Sequence, residues 1–160
     1  MQHNGPTALV LTRQAVPNLD RSRATDPGVS RGAYILSEAE GAGADVILIG
    51  TGSEVGLCVK AQEELKKQGV KARVVSMPSW DLFAAQDESY RNSILPKQIK
   101  KRVSVEAGAT LGWSRWTGDE GAIIGIDRFG ASAPGEEVLQ HLGFTVDNVV
   151  ATALRILKRT

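Results

Sequence analysis

Residues 45–76, DVILIGTGSEVGLCVKAQEELKKQGVKARVVS, decide the fold of this 160-residue chain. Asp45 to Ile49 is a short apolar run of strand type. Gly50-Thr51-Gly52-Ser53 then turns the chain, and Ser53 is expected to cap a helix. The apolar side of that helix shows Val55, Cys58, Val59 and Leu65 before Gly69 stops it. Val70 to Ser76 supplies a second strand. Strand, helical crossover and strand make one βαβ unit, so the two strands are expected to run parallel.

Upstream, Ala33 to Leu36 is another strand candidate, joined to Asp45 by the polar, glycine-bearing stretch Ser37 to Ala44. That connection predicts a hairpin, with the first strand as an antiparallel edge. Downstream, strands are expected at Arg102 to Glu106 and Ala122 to Ile126, and short helices at Trp80 to Gln86, Glu88 to Leu95 and Gly135 to Leu142. Pro134 suits a first helical position. Thr145 can cap a last helix whose apolar stripe is Val146, Val149, Val150, Ala153, Leu154 and Leu157. The expected fold is α/β. It is a three-layer αβα arrangement around a mostly parallel sheet of about five strands, with one antiparallel edge strand.

This domain is expected to occupy residues 32–160. Residues 15–31 hold Pro17, Asn18, Asp20, three arginines and the breaker Asp26-Pro27-Gly28, a composition that reads as an interdomain linker. Before it, Thr7 to Leu11 is an apolar run of strand type that ends at Thr12-Arg13-Gln14. Such a strand needs neighbours that the few upstream residues do not provide. Residues 1–14 are therefore expected to be the last strand of a preceding domain.

A formal charge of +1, from 19 basic and 18 acidic residues, gives no electrostatic reason to expect nucleic acid or a membrane as a partner. The single cysteine, Cys58, excludes an internal disulfide and suits a reducing compartment, cytoplasm or plastid. The length permits one domain burying roughly 70% of its unfolded surface.

Few residues suggest chemistry. The turn at Gly52 and Ser53 is a candidate anion site, because backbone amides at a helix N-terminus attract negative charge. A dinucleotide fingerprint needs a third glycine where Val55 stands, and the second strand ends at Ser76 rather than at an acid. No Lys-Ser or Lys-Thr pair follows, so a nucleotide-kinase loop is excluded. His3 and His141 have no nucleophile or second ligand beside them. Cys58, on the apolar helix face, reads as inert packing. Asp119-Glu120 and Glu136-Glu137 are adjacent pairs that diverge on any regular element, which suits solvated surface. Trp113, Arg115 and Trp116 read as packing at a domain or subunit contact.

Several segments together carry a resemblance. They are Arg73-Val74-Val75-Ser76-Met77-Pro78-Ser79, Ser93-Ile94-Leu95-Pro96, Val105-Glu106-Ala107-Gly108, Phe129-Gly130-Ala131-Ser132-Ala133-Pro134 with Gly125 before it, and Gly143-Phe144-Thr145-Val146-Asp147-Asn148-Val149. In this order they resemble the C-terminal domain of transketolase. The resemblance implies a parent that transfers a two-carbon ketol unit between sugar phosphates. Thiamine diphosphate and a divalent cation (Mg or Ca) would serve it, in the pentose phosphate pathway and the Calvin cycle. It also implies a homodimer, with the cofactor between domains that precede this one. The metal and diphosphate motif of the family, its activating glutamate and its histidine cluster have no counterpart here, so no cofactor is expected on this chain. One position carries over: Thr12-Arg13-Gln14 matches the motif in which the arginine, here Arg13, binds the substrate phosphate.

Three readings follow. In the first, the chain is a structural and interface domain of transketolase, inactive alone, whose partners are the remaining domains of its parent. In the second, it is a regulatory module binding an anion or nucleotide at the carboxyl ends of the parallel strands. The third, an independent nucleotide-binding oxidoreductase, is opposed by the missing glycine and acid.

Overall fold

In a computed structural model of the chain, the structure describes residues 5–12, 14–22, 24, 28–41 and 43–158. Five strands form one sheet: β1 (Tyr34–Ser37), β2 (Val46–Gly50), β3 (Ala72–Ser76), β4 (Arg102–Val105) and β5 (Ala122–Ile124). Their spatial order is β1-β3-β2-β4-β5. Three of the four pairings are parallel, and β1 lies antiparallel on β3 at the edge. The expected fold is the observed one.

Both faces of the sheet are covered, as a parallel sheet requires. Val46, Leu48, Val74, Val103 and Val105 point to one side, where α1 (Val55–Lys67) and α6 (Val146–Leu157) pack with Cys58, Leu65, Val149 and Ala153 buried. Ile47, Ile49 and Val75 point to the other, toward Phe83 of α2 (Trp80–Ala84), Ile94 of α3 (Glu88–Ile94) and Trp116 of α4 (Ser114–Thr117). The alternation of neighbours within VILI and within VVS separates the two cores. A further helix, α5 (Gly135–His141), has no buried residue.

Three local expectations are corrected. The Ser37 to Ala44 connection is not a hairpin between adjacent strands. β3 lies between β1 and β2, because β1 gains its hydrogen bonds from β3, with Tyr34 opposite Ser76 and Ile35 opposite Val75. Ser53 does not cap α1. It lies in a 3-10 turn, Gly52–Glu54, and its hydroxyl donates to Glu54 Oε1 at 2.5 Å. Pro134 is the N-cap of α5 rather than its first residue. Ser79, Asp87 and Thr145 cap α2, α3 and α6 in the usual way, each side chain accepting from a backbone amide three residues on; of these, Thr145 was legible in the sequence.

The residues from Thr7 to Leu11 pair with no strand, and Leu9, Val10 and Leu11 are exposed. Among the described residues no helix is long and apolar enough to cross a membrane.

Candidate functional site

In open α/β sheets, ligands usually bind beyond the carboxyl ends of the strands, where successive connections leave in opposite directions. Here that point lies between β2 and β4. The chain leaves β2 toward β3 and leaves β4 toward β5. The loops that meet there are Thr51 to Glu54 and Glu106 to Gly112.

Glu54 fills the gap between them. It is buried, with its Oε2 accepting from the Ala107 amide at 3.0 Å and its Oε1 accepting from Ser53 Oγ. An internal carboxylate thus sits at the start of α1, beside the amides and dipole that would otherwise attract an external anion. Gly52, at φ +55, turns the chain into this arrangement. Behind it, Gly50 approaches the helix closely: a Cβ there would lie 2.9 Å from Val55 Cα and 3.1 Å from Cys58 Sγ. The Cys58 thiol is fully buried, and burial, followed by the nearby Glu54 charge, pushes its pKa up to about 12. Such a thiol is packing, as its sequence position indicated.

The β4 loop is tied down twice more. Trp113 Nε1 donates to Glu106 Oε2 at 2.7 Å, and Thr110 donates to Asp127 through its amide at 2.9 Å and its hydroxyl at 2.6 Å. Those two hydrogen bonds from Thr110 hold the Asp127 carboxyl below its ordinary range. They also join the loop after β4 to the loop after β5. Each loop then lifts one large apolar side chain into solvent. Leu111 is 87% exposed and Phe129 is 96% exposed.

Trp113 and Trp116 do not form a domain contact, which corrects the sequence expectation. Both are buried inside this chain, Trp113 edge-on to Trp80 at 5.0 Å and Trp116 against Phe83 at 5.1 Å. Sequence reasoning missed α4, four residues long, which turns them inward. It also missed Glu54, whose only signal is an acid in the first turn of a helix.

Arg13 lies outside the described residues. Nearby, the Gln14 side-chain nitrogen stands 2.6 Å from where a Gly135 Cβ would be, so only glycine fits there without movement. Further along, Pro17, Asn18 and Leu19 share a cleft with Gly52, Val55 and Ser76, at the carboxyl ends of β2 and β3. Because β1 is antiparallel, its first residue, opposite Ser76, lies at this same edge. The N-terminal segment therefore runs along the edge that carries Leu111 and Phe129.

The family model described as "Transketolase-like TK C-terminal domain" matches residues 32–145. The chain belongs to the transketolase family. It is 54% identical over 153 residues to a transketolase of Geobacillus stearothermophilus, covering 95% of this chain and 23% of that protein. It is 49% identical over 156 residues to transketolase 1 of Escherichia coli, again covering 23% of the relative. The chain thus spans about a quarter of the length of these transketolases. Among solved structures, a transketolase from Pichia stipitis in complex with sedoheptulose 7-phosphate aligns with a TM-score of 0.81 at 37% identity, covering 91% of this chain and 20% of that one. The chain carries a transketolase C-terminal domain, and the relatives are transferases.

Proposed function

We propose that residues 32–160 of this chain are the docking domain of a transketolase, which contributes surface and no catalytic group. The carrying observation is the pair Leu111 and Phe129, exposed on two loops that Thr110 and Asp127 lock together. Large apolar side chains held rigidly in solvent suit a covered surface. Its occupant is the preceding part of the same polypeptide, for which two features argue. The relatives are about four times longer, and the linker arrives at this very edge. The strand-like run Thr7 to Leu11, unpaired here, would complete the sheet of that preceding domain.

The parent's activity is then the transfer of a two-carbon ketol unit between sugar phosphates, in a homodimer with thiamine diphosphate and a divalent cation. Sedoheptulose 7-phosphate bound to the Pichia protein supports the substrate class. Arg13 would meet a substrate phosphate through its planar guanidinium fork. The described residues offer the cofactor no fitting set of ligands. Among them no group of three His, Cys, Asp or Glu is placed to hold a metal ion, and the switch-point crevice is spanned by Glu54. No step through the cofactor is therefore assigned to this chain.

Separately produced preceding domains of the parent test the docking role. The 160-residue chain should bind them in trans, and Phe129→Ser should weaken binding at least ten-fold without unfolding the chain. Equal binding by the folded Phe129→Ser and Leu111→Ser variants would remove the proposal.

A further inference from the structure

At the opposite edge of the sheet lies a second feature, independent of the docking role. A cleft of about 150 Å³ opens between α3 and α4 beside Arg102, the first residue of β4. Four of its lining residues are cationic: Arg91, Lys97, Arg102 and Arg115. One is acidic, Glu88, and it is already ion-paired with Lys97. The chain as a whole balances 19 basic against 18 acidic residues, so three arginines outside the ion pairs of the described residues are a local concentration.

We propose that this cleft is an oxyanion site that takes a phosphate group. Like charges gathered in one cleft separate unless something fixes them, and here each guanidinium is held. Arg91 Nη1 donates to the carbonyls of Ala84 at 2.6 Å and Gln86 at 2.8 Å. Arg102 donates to the carbonyls of Ile99, Trp116 and Pro96, each at 2.9 Å, and to that of Leu95 at 3.2 Å. Arg115 lies over the Trp116 ring, 4.8 Å from its centroid. Carbonyl dipoles position these groups, and the one carboxylate lining the cleft, Glu88, is ion-paired with Lys97 and acts on Arg91 only from beyond ion-pair distance. Both bonds of Arg91 use the same nitrogen, so the rest of its fork is available to a bidentate acceptor.

A second observation points the same way. Trp116 is 6% exposed and lines the cleft, and its Nε1–H is buried without a hydrogen-bond partner. Buried donors are nearly always satisfied, and this one stands unsatisfied in a residue that walls a cleft the arginines make positive. The cleft is well below the roughly 300 Å³ at which pockets for drug-sized ligands begin, so it suits one tetrahedral oxyanion rather than a nucleotide. Its open mouth admits either free phosphate or the phosphate of a monoester.

The test is a titration of the nitrogen-15-labelled 160-residue chain, at ionic strength held constant with sodium chloride. The readout is the indole cross-peak of Trp116, assigned by its loss in Trp116→Phe. The probes are inorganic phosphate and, separately, glycerol phosphate. The proposal expects a saturable shift with Kd near or below about 1 mM for at least one probe, and about ten-fold weakening in Arg115→Gln. Arg115 is exposed, so that variant should keep the parent's thermal midpoint without phosphate. Binding of inorganic phosphate alone marks the free ion as ligand, and binding of both marks a phosphomonoester-tolerant site. A linear drift no larger than that caused by chloride overturns the proposal. So does a saturable shift that Arg115→Gln leaves unchanged; the arginines then serve only to clamp helix carbonyls.

Discussion

The carboxylate of Glu54 holds the backbone amide of Ala107 at 3.0 Å, and so joins the loop after β2 to the loop after β4. That contact spans the crevice between β2 and β4, where α/β sheets usually receive ligands. Glu54→Ala leaves the Ala107 amide and Ser53 hydroxyl without their acceptor. Loss of about 1–3 kcal/mol is expected, read as a lower urea midpoint. Glu54→Gln retains an acceptor oxygen and should lose clearly less.

Cys58 provides a pH signature. Its pKa, about 12 in the fold, lies above the value of 9.0 for a free thiol, so the folded chain keeps a proton that the unfolded chain releases. Stability from this group is complete below about pH 9 and declines as pH rises toward 12. The slope is at most about 1.4 kcal/mol per pH unit. Urea unfolding of the native chain and of Cys58→Ala across that window should show a shallower decline in the variant. The native thiol should also resist an aromatic disulfide reagent at pH 8 until the chain unfolds.

Gly112 has φ +89, and a Cβ there would lie 2.8 Å from Trp80 Cζ3. Gly112→Ala meets both a left-handed backbone and a ring packed edge-on against Trp113. Destabilisation of more than about 1 kcal/mol is expected, with a change in near-ultraviolet circular dichroism from the disturbed tryptophan pair. An unchanged midpoint and spectrum would show that the Trp80 ring yields freely.

Leu111→Ser and Phe129→Ser should behave oppositely to these core changes. Both side chains are exposed in the isolated chain, so thermal stability should move by no more than about 0.5 kcal/mol. Binding to the preceding transketolase domains, measured by calorimetry, should fall at least ten-fold.

Much of the fold was legible because its signals are local. The VILI and VVS runs, Gly69 after the helix and Thr145 before the last one each act within a few residues. The hairpin was misread because an eight-residue polar connection suits either neighbour, and only the distant Val75 and Ser76 decide that β3 receives β1. Glu54 was missed because its partner, Ala107, is 53 residues away. Trp113 and Trp116 looked like a contact patch because polar residues surround them in sequence. In the structure, Glu106 satisfies one indole and α4 buries both rings.

The most direct measurement is ketol transfer from a ketose phosphate to an aldose phosphate by the rigorously purified 160-residue chain, with thiamine diphosphate and magnesium supplied. A docking domain predicts no turnover above a blank, whether or not the chain is fully folded. Turnover that co-purifies with this chain alone, in the absence of any other transketolase domain, would contradict the account.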